Sequence, residues 1–196
     1  MSRPQKTLEF ERTRIAANDM WSIASTLHFF AKEEVKRHPR NLVAAGLVFY
    51  AFTIEAALNH LGAELFVHWD EMERLSPVGK LKVIYEKAGI PFECGRDPLQ
   101  IICGLFTFRN DCAHGKTMIV SGSRRIPTTV DVDEVFRKIE PYCPTDWDKF
   151  CELSNLERAR NAVNAFLAEI RESTGVDFSL NVSGVTRFST AEEQKL

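Results

Sequence analysis

The stretch from Arg40 to Val67, RNLVAAGLVFYAFTIEAALNHLGAELFV, decides the fold class. Val43, Leu47, Tyr50, Ile54, Leu58, Leu61 and Leu65 follow one another by three or four, which is the spacing of one helix face. Ala44, Ala45, Ala51, Ala56 and Ala57 keep other faces thin, so that neighbouring helices can come close. A helix that is apolar on more than one side belongs at the centre of a bundle. The apolar run Leu42–Leu58 is interrupted by Glu55 and is too short to span a bilayer comfortably, so no membrane is expected. Glu55 is then a carboxylate inside a core helix and needs a partner; Arg109 is the candidate.

Working outward, the segments on both sides also read as helices. Asn18 or Asp19 can cap a helix that runs to about Arg37, with Met20, Ile23, Ala24, Leu27, Phe30 and Ala31 on one face. His38-Pro39 ends it and starts the central helix. A charged linker, His68 to Arg74, leads to Ser76-Pro77, which opens a third helix closed by Gly89. Asp97-Pro98 opens a fourth helix with Leu99, Ile102, Cys103, Phe106 and Asn110 along one stripe, ending near His114-Gly115. A short fifth helix is expected over about 131–140 and a sixth over about 148–173. The fold class is therefore all-α, a bundle of five or six helices.

A small β element is expected after the fourth helix, as a hairpin over 118–126, and in the tail. In the tail Val176, Phe178, Leu180 and Val182 alternate with polar residues. That strand would pair with 118–126 or add to a partner chain. The domain plan is a flexible N-terminus over 1–15, a helical domain over 16–175 and an extended tail over 176–196, with the last residues from Ala191 disordered.

A hydrophobic fraction of 44% with 27% charged residues over 196 residues suits one domain with a proper core. The formal net charge of -2 and pI near 6.2 argue against a protein that coats nucleic acid indiscriminately, but leave room for a local RNA site. The five cysteines form an odd set with no CxxC pair, as expected of free thiols in a reducing cytoplasm. Histidines 28, 38, 60, 68 and 114 do not cluster with them at zinc spacings, so neither a metal nor another cofactor is expected. The polar opening MSRPQKTLEFERTR is unlike a signal peptide, and a cytoplasmic location is expected.

The chemistry-bearing stretch is Phe108-Arg109-Asn110-Asp111-Cys112-Ala113-His114-Gly115. It combines an obligate cation, an amide and the side chain whose ordinary pKa of about 6.5 lies near neutrality. Imidazole can move protons, and guanidinium can hold phosphoryl oxygens through paired donors. Arg109, Asn110 and His114, in the order RNDCAH, resemble the Arg-polar-x-x-x-His motif of the HEPN superfamily. The segment IEAALNHLG, from Ile54 to Gly62, is similar to the same family in having an internal glutamate followed by an Asn-His pair. The likeness covers roughly Ala16 to Thr174. It implies a HEPN-like helical domain and a metal-independent endoribonuclease of the kind found as toxins and antiphage effectors. It also implies a homodimer with a composite active site, with RNA as substrate and an antitoxin or regulatory protein as a further partner.

Under that resemblance Arg109, His114 and Asn110 are catalytic, Glu55 and Asp111 support them, and Lys116, Arg124 and Arg125 form a basic rim for RNA. Five residues along an ideal helix turn by about 140°, so Arg109 and His114 of one chain do not share a face. Asn110 and His114, four apart, do. Either the helix ends between Arg109 and His114, or each chain's arginine works with surfaces of a second copy, which a two-fold pairing brings together. The competing reading is a non-catalytic module of the same fold that binds a partner protein, nucleotide or RNA.

Overall fold

The computed structural model describes residues 7–12, 14–34, 39–115, 117, 119, 145–178, 180 and 186–191. These residues hold seven helices and two strands. In chain order they are β1 (Thr7–Arg12), α1 (Ala16–Glu33), α2 (Arg40–Leu65), α3 (Trp69–Met72), α4 (Pro77–Ala88), α5 (Leu99–His114), α6 (Asp146–Phe150), α7 (Leu153–Thr174) and β2 (Thr186–Ala191). The all-α bundle is thus the architecture of the chain.

The central position of α2 follows from its composition. Val43, Leu47, Tyr50, Ile54, Leu58 and Leu61 are buried, as are Ala51 and Ala57 on other faces. Helices α1, α3, α4, α5 and α7 all pack against it. At 26 residues and a mean hydropathy of 1.6 over its most apolar window, α2 is long and apolar enough to cross a bilayer; half of that window is buried inside the bundle. Glycine permits the closest approaches. A Cβ on Gly46 would meet Leu156 of α7 at 2.8 Å, and one on Gly62 would meet the Trp69 ring at 2.1 Å.

Local signals set several helix ends where the sequence places them. Ser76 Oγ accepts from Gly79 N–H at 3.1 Å with Pro77 in the first turn. Gly89 closes α4 at φ 71°, and the Ile90 N–H reaches back to the Tyr85 carbonyl at 3.0 Å. Other ends differ. Helix α1 begins at Ala16 on an Ile15 cap without a side-chain bond, and Asp19, inside its first turn, pairs with Arg14 at 2.6 Å. The cap at α5 is Pro98, also without a side-chain bond, and Asp97 faces Arg158 at 3.6 Å.

The linker 68–74 contains the short helix α3, whose Trp69 is buried and stacks on Phe66. The single sixth helix expected over 148–173 is two. Cys151 N–H bonds the Trp147 carbonyl, Glu152 is extended, and Asn155 Nδ2 donates to the carbonyls of Lys149 and Phe150. The break lets Trp147 and Phe150 of α6 both lie against Phe108.

The strand expected from Val176 onward is also corrected. Val176–Phe178 carry no strand, and Phe178 is buried in the bundle with its ring 5.0 Å from His60. The strand of the tail is β2, which pairs antiparallel with β1 in a register running from Thr7 opposite Ala191 to Arg12 opposite Thr186. Residues 7–12 of the N-terminal segment thus form a strand, and Ala191 is the last residue of β2. Alternation of apolar and polar residues in TLEFER supplies a strand pattern that its charges mask. The hairpin over 118–126 and the helix over 131–140 lie outside the described residues.

Candidate functional site

Helix α5 owes its pose to Leu99, Ile101, Ile102, Leu105, Phe106 and Phe108, all buried. Its stripe continues one turn beyond Leu105 into Arg109, which therefore faces α2 instead of solvent. Arg109 Nη2 donates to Glu55 Oε2 at 2.6 Å, so the glutamate in the core helix has the partner anticipated for it. The side chains remain 19% and 30% exposed, which places the pair at the edge of the core. The Arg109 guanidinium also lies over the ring of Phe52, 5.8 Å from its centroid, and Phe52 is partly open to solvent.

Asn110 does not continue the buried stripe; it is exposed, because a residue directly after Arg109 turns about 100° away from the α2-facing side. Asp111 is exposed and contributes its carbonyl to the Gly115 N–H at 3.0 Å, while its carboxylate is not the group that holds Arg109. His114 is the last residue of α5 and is exposed. One chain thus brings Glu55 and Arg109 together and presents Asn110 and His114 on the neighbouring surface of the same helix. Lys116, Arg124 and Arg125 lie outside the described residues.

A second cluster forms around the end of α5 that sequence reasoning did not single out. Trp147 stacks on Phe108 with centroids 5.6 Å apart, and its Nε1–H points at Cys112 Sγ at 3.4 Å. Arg40 lies over the Trp147 ring at 4.9 Å and forms an ion pair with Asp148. The sequence signal that could have found it is Thr145-Asp146-Trp147-Asp148, a capping box in which Thr145 N–H bonds Asp148 Oδ2 and Asp148 N–H bonds Thr145 Oγ1.

Among the described residues, no three His, Cys, Asp or Glu side chains come together as a metal site. A concave region of about 700 Å³ lies over α1 and α7 and is lined by Trp21, Phe29, Phe30 and Arg160 among others, not by Arg109 or His114. Asn110 and His114 are exposed on α5. Compared with known proteins, the chain matches no family model, no curated protein and no solved structure.

Chemically, the arrangement offers a carboxylate-held guanidinium with an aromatic neighbour, and an accessible imidazole with an amide one turn before it. The first can bind a phosphate, and the second can exchange protons with a bound substrate.

Proposed function

We propose that the chain is a metal-independent endoribonuclease acting as a homodimer, in the manner implied by its resemblance to HEPN domains. The observation that carries the proposal is an accessible His114 with Asn110 on its face, on the same helix whose Arg109 is fixed by Glu55. In this reading the ribose 2′-hydroxyl attacks the adjacent phosphorus, the bond to the 5′-oxygen breaks, and a 2′,3′-cyclic phosphate and a 5′-hydroxyl result. His114 accepts or delivers a proton, Arg109 stabilises the charge on the non-bridging oxygens, and Asn110 orients phosphate or imidazole.

Glu55 acts as a positioning residue, since it restrains the guanidinium without touching substrate. Phe52, partly exposed beside Arg109, is suited to stack on an unpaired base. Because Arg109 and Asn110–His114 point to different sides of α5, a second copy supplies the complementary half of each site. An effector of this kind, a toxin or an antiphage factor in the cytoplasm, would be held in check by an antitoxin or another regulatory protein.

The alternative is a non-catalytic helical module that binds a protein, nucleotide or RNA. One observation favours it: the Glu55 ion pair already accounts for Arg109 as a structural group. Incubating purified protein with RNA in EDTA separates the two. The nuclease reading expects cleavage with cyclic-phosphate ends, a loss of about 10²–10⁴-fold for His114→Ala and about 10²–10³-fold for Arg109→Ala. DNA, which lacks the attacking hydroxyl, stays intact. Cleavage that persists unchanged in both variants, or RNA binding without cleavage in the wild type, refutes it.

A further inference from the structure

Away from α5's last turns, Cys94 and Cys103 face each other with their sulfurs 3.1 Å apart. Both are free thiols; Cys94 is exposed in the segment between α4 and α5, and Cys103 is half-buried in the second turn of α5. A disulfide needs about 2.05 Å, so the sulfurs lie about 1 Å outside bonding distance. The segment can supply that movement. Glu93 to Asp97 are exposed, Gly95 has no neighbour that a Cβ would meet within 4 Å, and the Glu93–Arg96 ion pair sits at the surface. Cys103, by contrast, is anchored between Ile102 and Leu105, which are fully buried.

We propose that Cys94 and Cys103 form a thiol–disulfide exchange site, which a low-molecular-weight disulfide such as oxidised glutathione closes into an intramolecular bond. The exposed Cys94 thiolate attacks one sulfur of the glutathione disulfide. That S–S bond breaks, a Cys94–glutathione mixed disulfide forms, and one glutathione thiolate leaves and takes up a proton. Cys103 then gives its proton to solvent and attacks Cys94 Sγ. The Cys94–Cys103 bond forms as the mixed disulfide breaks and a second glutathione departs. The protein thiols lose two electrons and two protons, which two glutathione molecules gain.

The division of roles follows from the environments. Burial, then the hydrogen bond and negative charge offered by Cys94, hold the Cys103 thiol above its ordinary range, while Lys82 acts in the opposite direction. Cys103 is therefore a poor first attacker. Once Cys94 carries glutathione its thiolate charge is gone, and Lys82 still favours the Cys103 thiolate. The closed bond ties the segment between α4 and α5 to the helix that carries Arg109 and His114. It also fixes one wall of a cavity of about 230 Å³ bounded by Glu93, Arg96, Asp97, Tyr85 and Glu169. None of this depends on the nuclease reading.

The test treats the folded full-length chain with buffers of reduced and oxidised glutathione, quenches with acid, and maps thiols by peptide mass spectrometry. The expected wild-type product lacks the mass of two hydrogens and contains a Cys94–Cys103 cross-linked peptide. Cys103→Ser should accumulate glutathione on Cys94, with a mixed disulfide that lasts at least about tenfold longer than in the wild type, because the intramolecular resolving thiol is missing. Cys94→Ser should take up no glutathione at Cys103. Lasting glutathione on Cys94 in the wild type, a bridge to Cys112, Cys143 or Cys151, or two unreacted thiols would overturn the proposal.

Discussion

The Glu55–Arg109 pair is the joint between the core helix and the candidate site, and its strength can be measured. Its 2.6 Å separation is that of a charge-assisted hydrogen bond, worth about 1.5–3 kcal/mol when shielded from water. Exposures of 19% and 30% leave the pair partly hydrated, which moves the expectation toward the value of about 0–1 kcal/mol typical of surface pairs. A coupling energy of about 1–2 kcal/mol is therefore expected. Glu55→Gln keeps the shape and an acceptor oxygen but removes the charge. Arg109→Met keeps an apolar stem against Phe52 and removes the cation. Urea unfolding of the wild type, both single variants and the double variant completes the cycle. With an m-value of about 2 kcal/mol/M, a coupling of that size displaces the midpoint by about 0.5–1 M. The Lys32–Glu157 pair is an internal control, equally short at 2.6 Å but 48% and 47% exposed, and its coupling should be smaller and should vanish first as salt is added. If the Glu55 and Arg109 effects add to within about 0.3–0.5 kcal/mol, the pair contributes no coupling and the positioning role of Glu55 fails.

Two further outcomes follow from the bundle itself. Burial, followed by the charges of Lys32 and Arg160, lowers the pKa of His28, which contacts the Tyr50 hydroxyl at 3.1 Å; Glu157 opposes the shift. The unfolded chain therefore takes up this proton first as pH falls below about 6.5, so the stability carried by neutral His28 is lost toward acid, at up to about 1.4 kcal/mol per pH unit. Urea midpoints at about pH 7.5 and 5.5 should converge in His28→Asn, and an unchanged pH slope would show that His28 is not the group responsible. Gly62→Ala should destabilise the fold although alanine is the better helix former by about 1 kcal/mol, because its Cβ would sit 2.1–2.3 Å from three atoms of the buried Trp69 ring. An overpacking penalty of about 1–3 kcal/mol outweighs the propensity gain. In a Trp69→Ala background the same change should turn stabilising, and destabilisation of similar size in both backgrounds would refute the steric argument.

Much of the helical plan is local, and local signals carry it. The three-and-four spacing in α2 demands burial on several faces, and Ser76-Pro77 and Gly89 mark both ends of α4 through geometry that belongs to a few neighbouring residues. The same logic fails where remote contacts decide. Nothing in the charged stretch 68–74 announces that Trp69 will fill the gap left by Gly62, and nothing within 146–174 requires a break at Cys151 and Glu152 until Phe108 offers a surface to Trp147 and Phe150. The alternation at 176–182 reads as a strand, yet Phe178 and Leu180 are buried against the bundle, and the strand forms later in the tail.

The candidate site divides in the same way. Residue order alone determines that Asn110 and His114 share a face, that Arg109 does not, and that Glu55 lies in an apolar helix where its charge needs an answer, since helix pitch and the cost of burying charge are properties of the chain itself. Tertiary structure decides which cation answers Glu55, because that depends on how α5 lies across α2, and it decides that Cys94 and Cys103 meet sulfur to sulfur, because the intervening segment folds back on α5. Pairing of β1 with β2 is of the second kind, since no local pattern in residues 7–12 specifies a partner at 186–191.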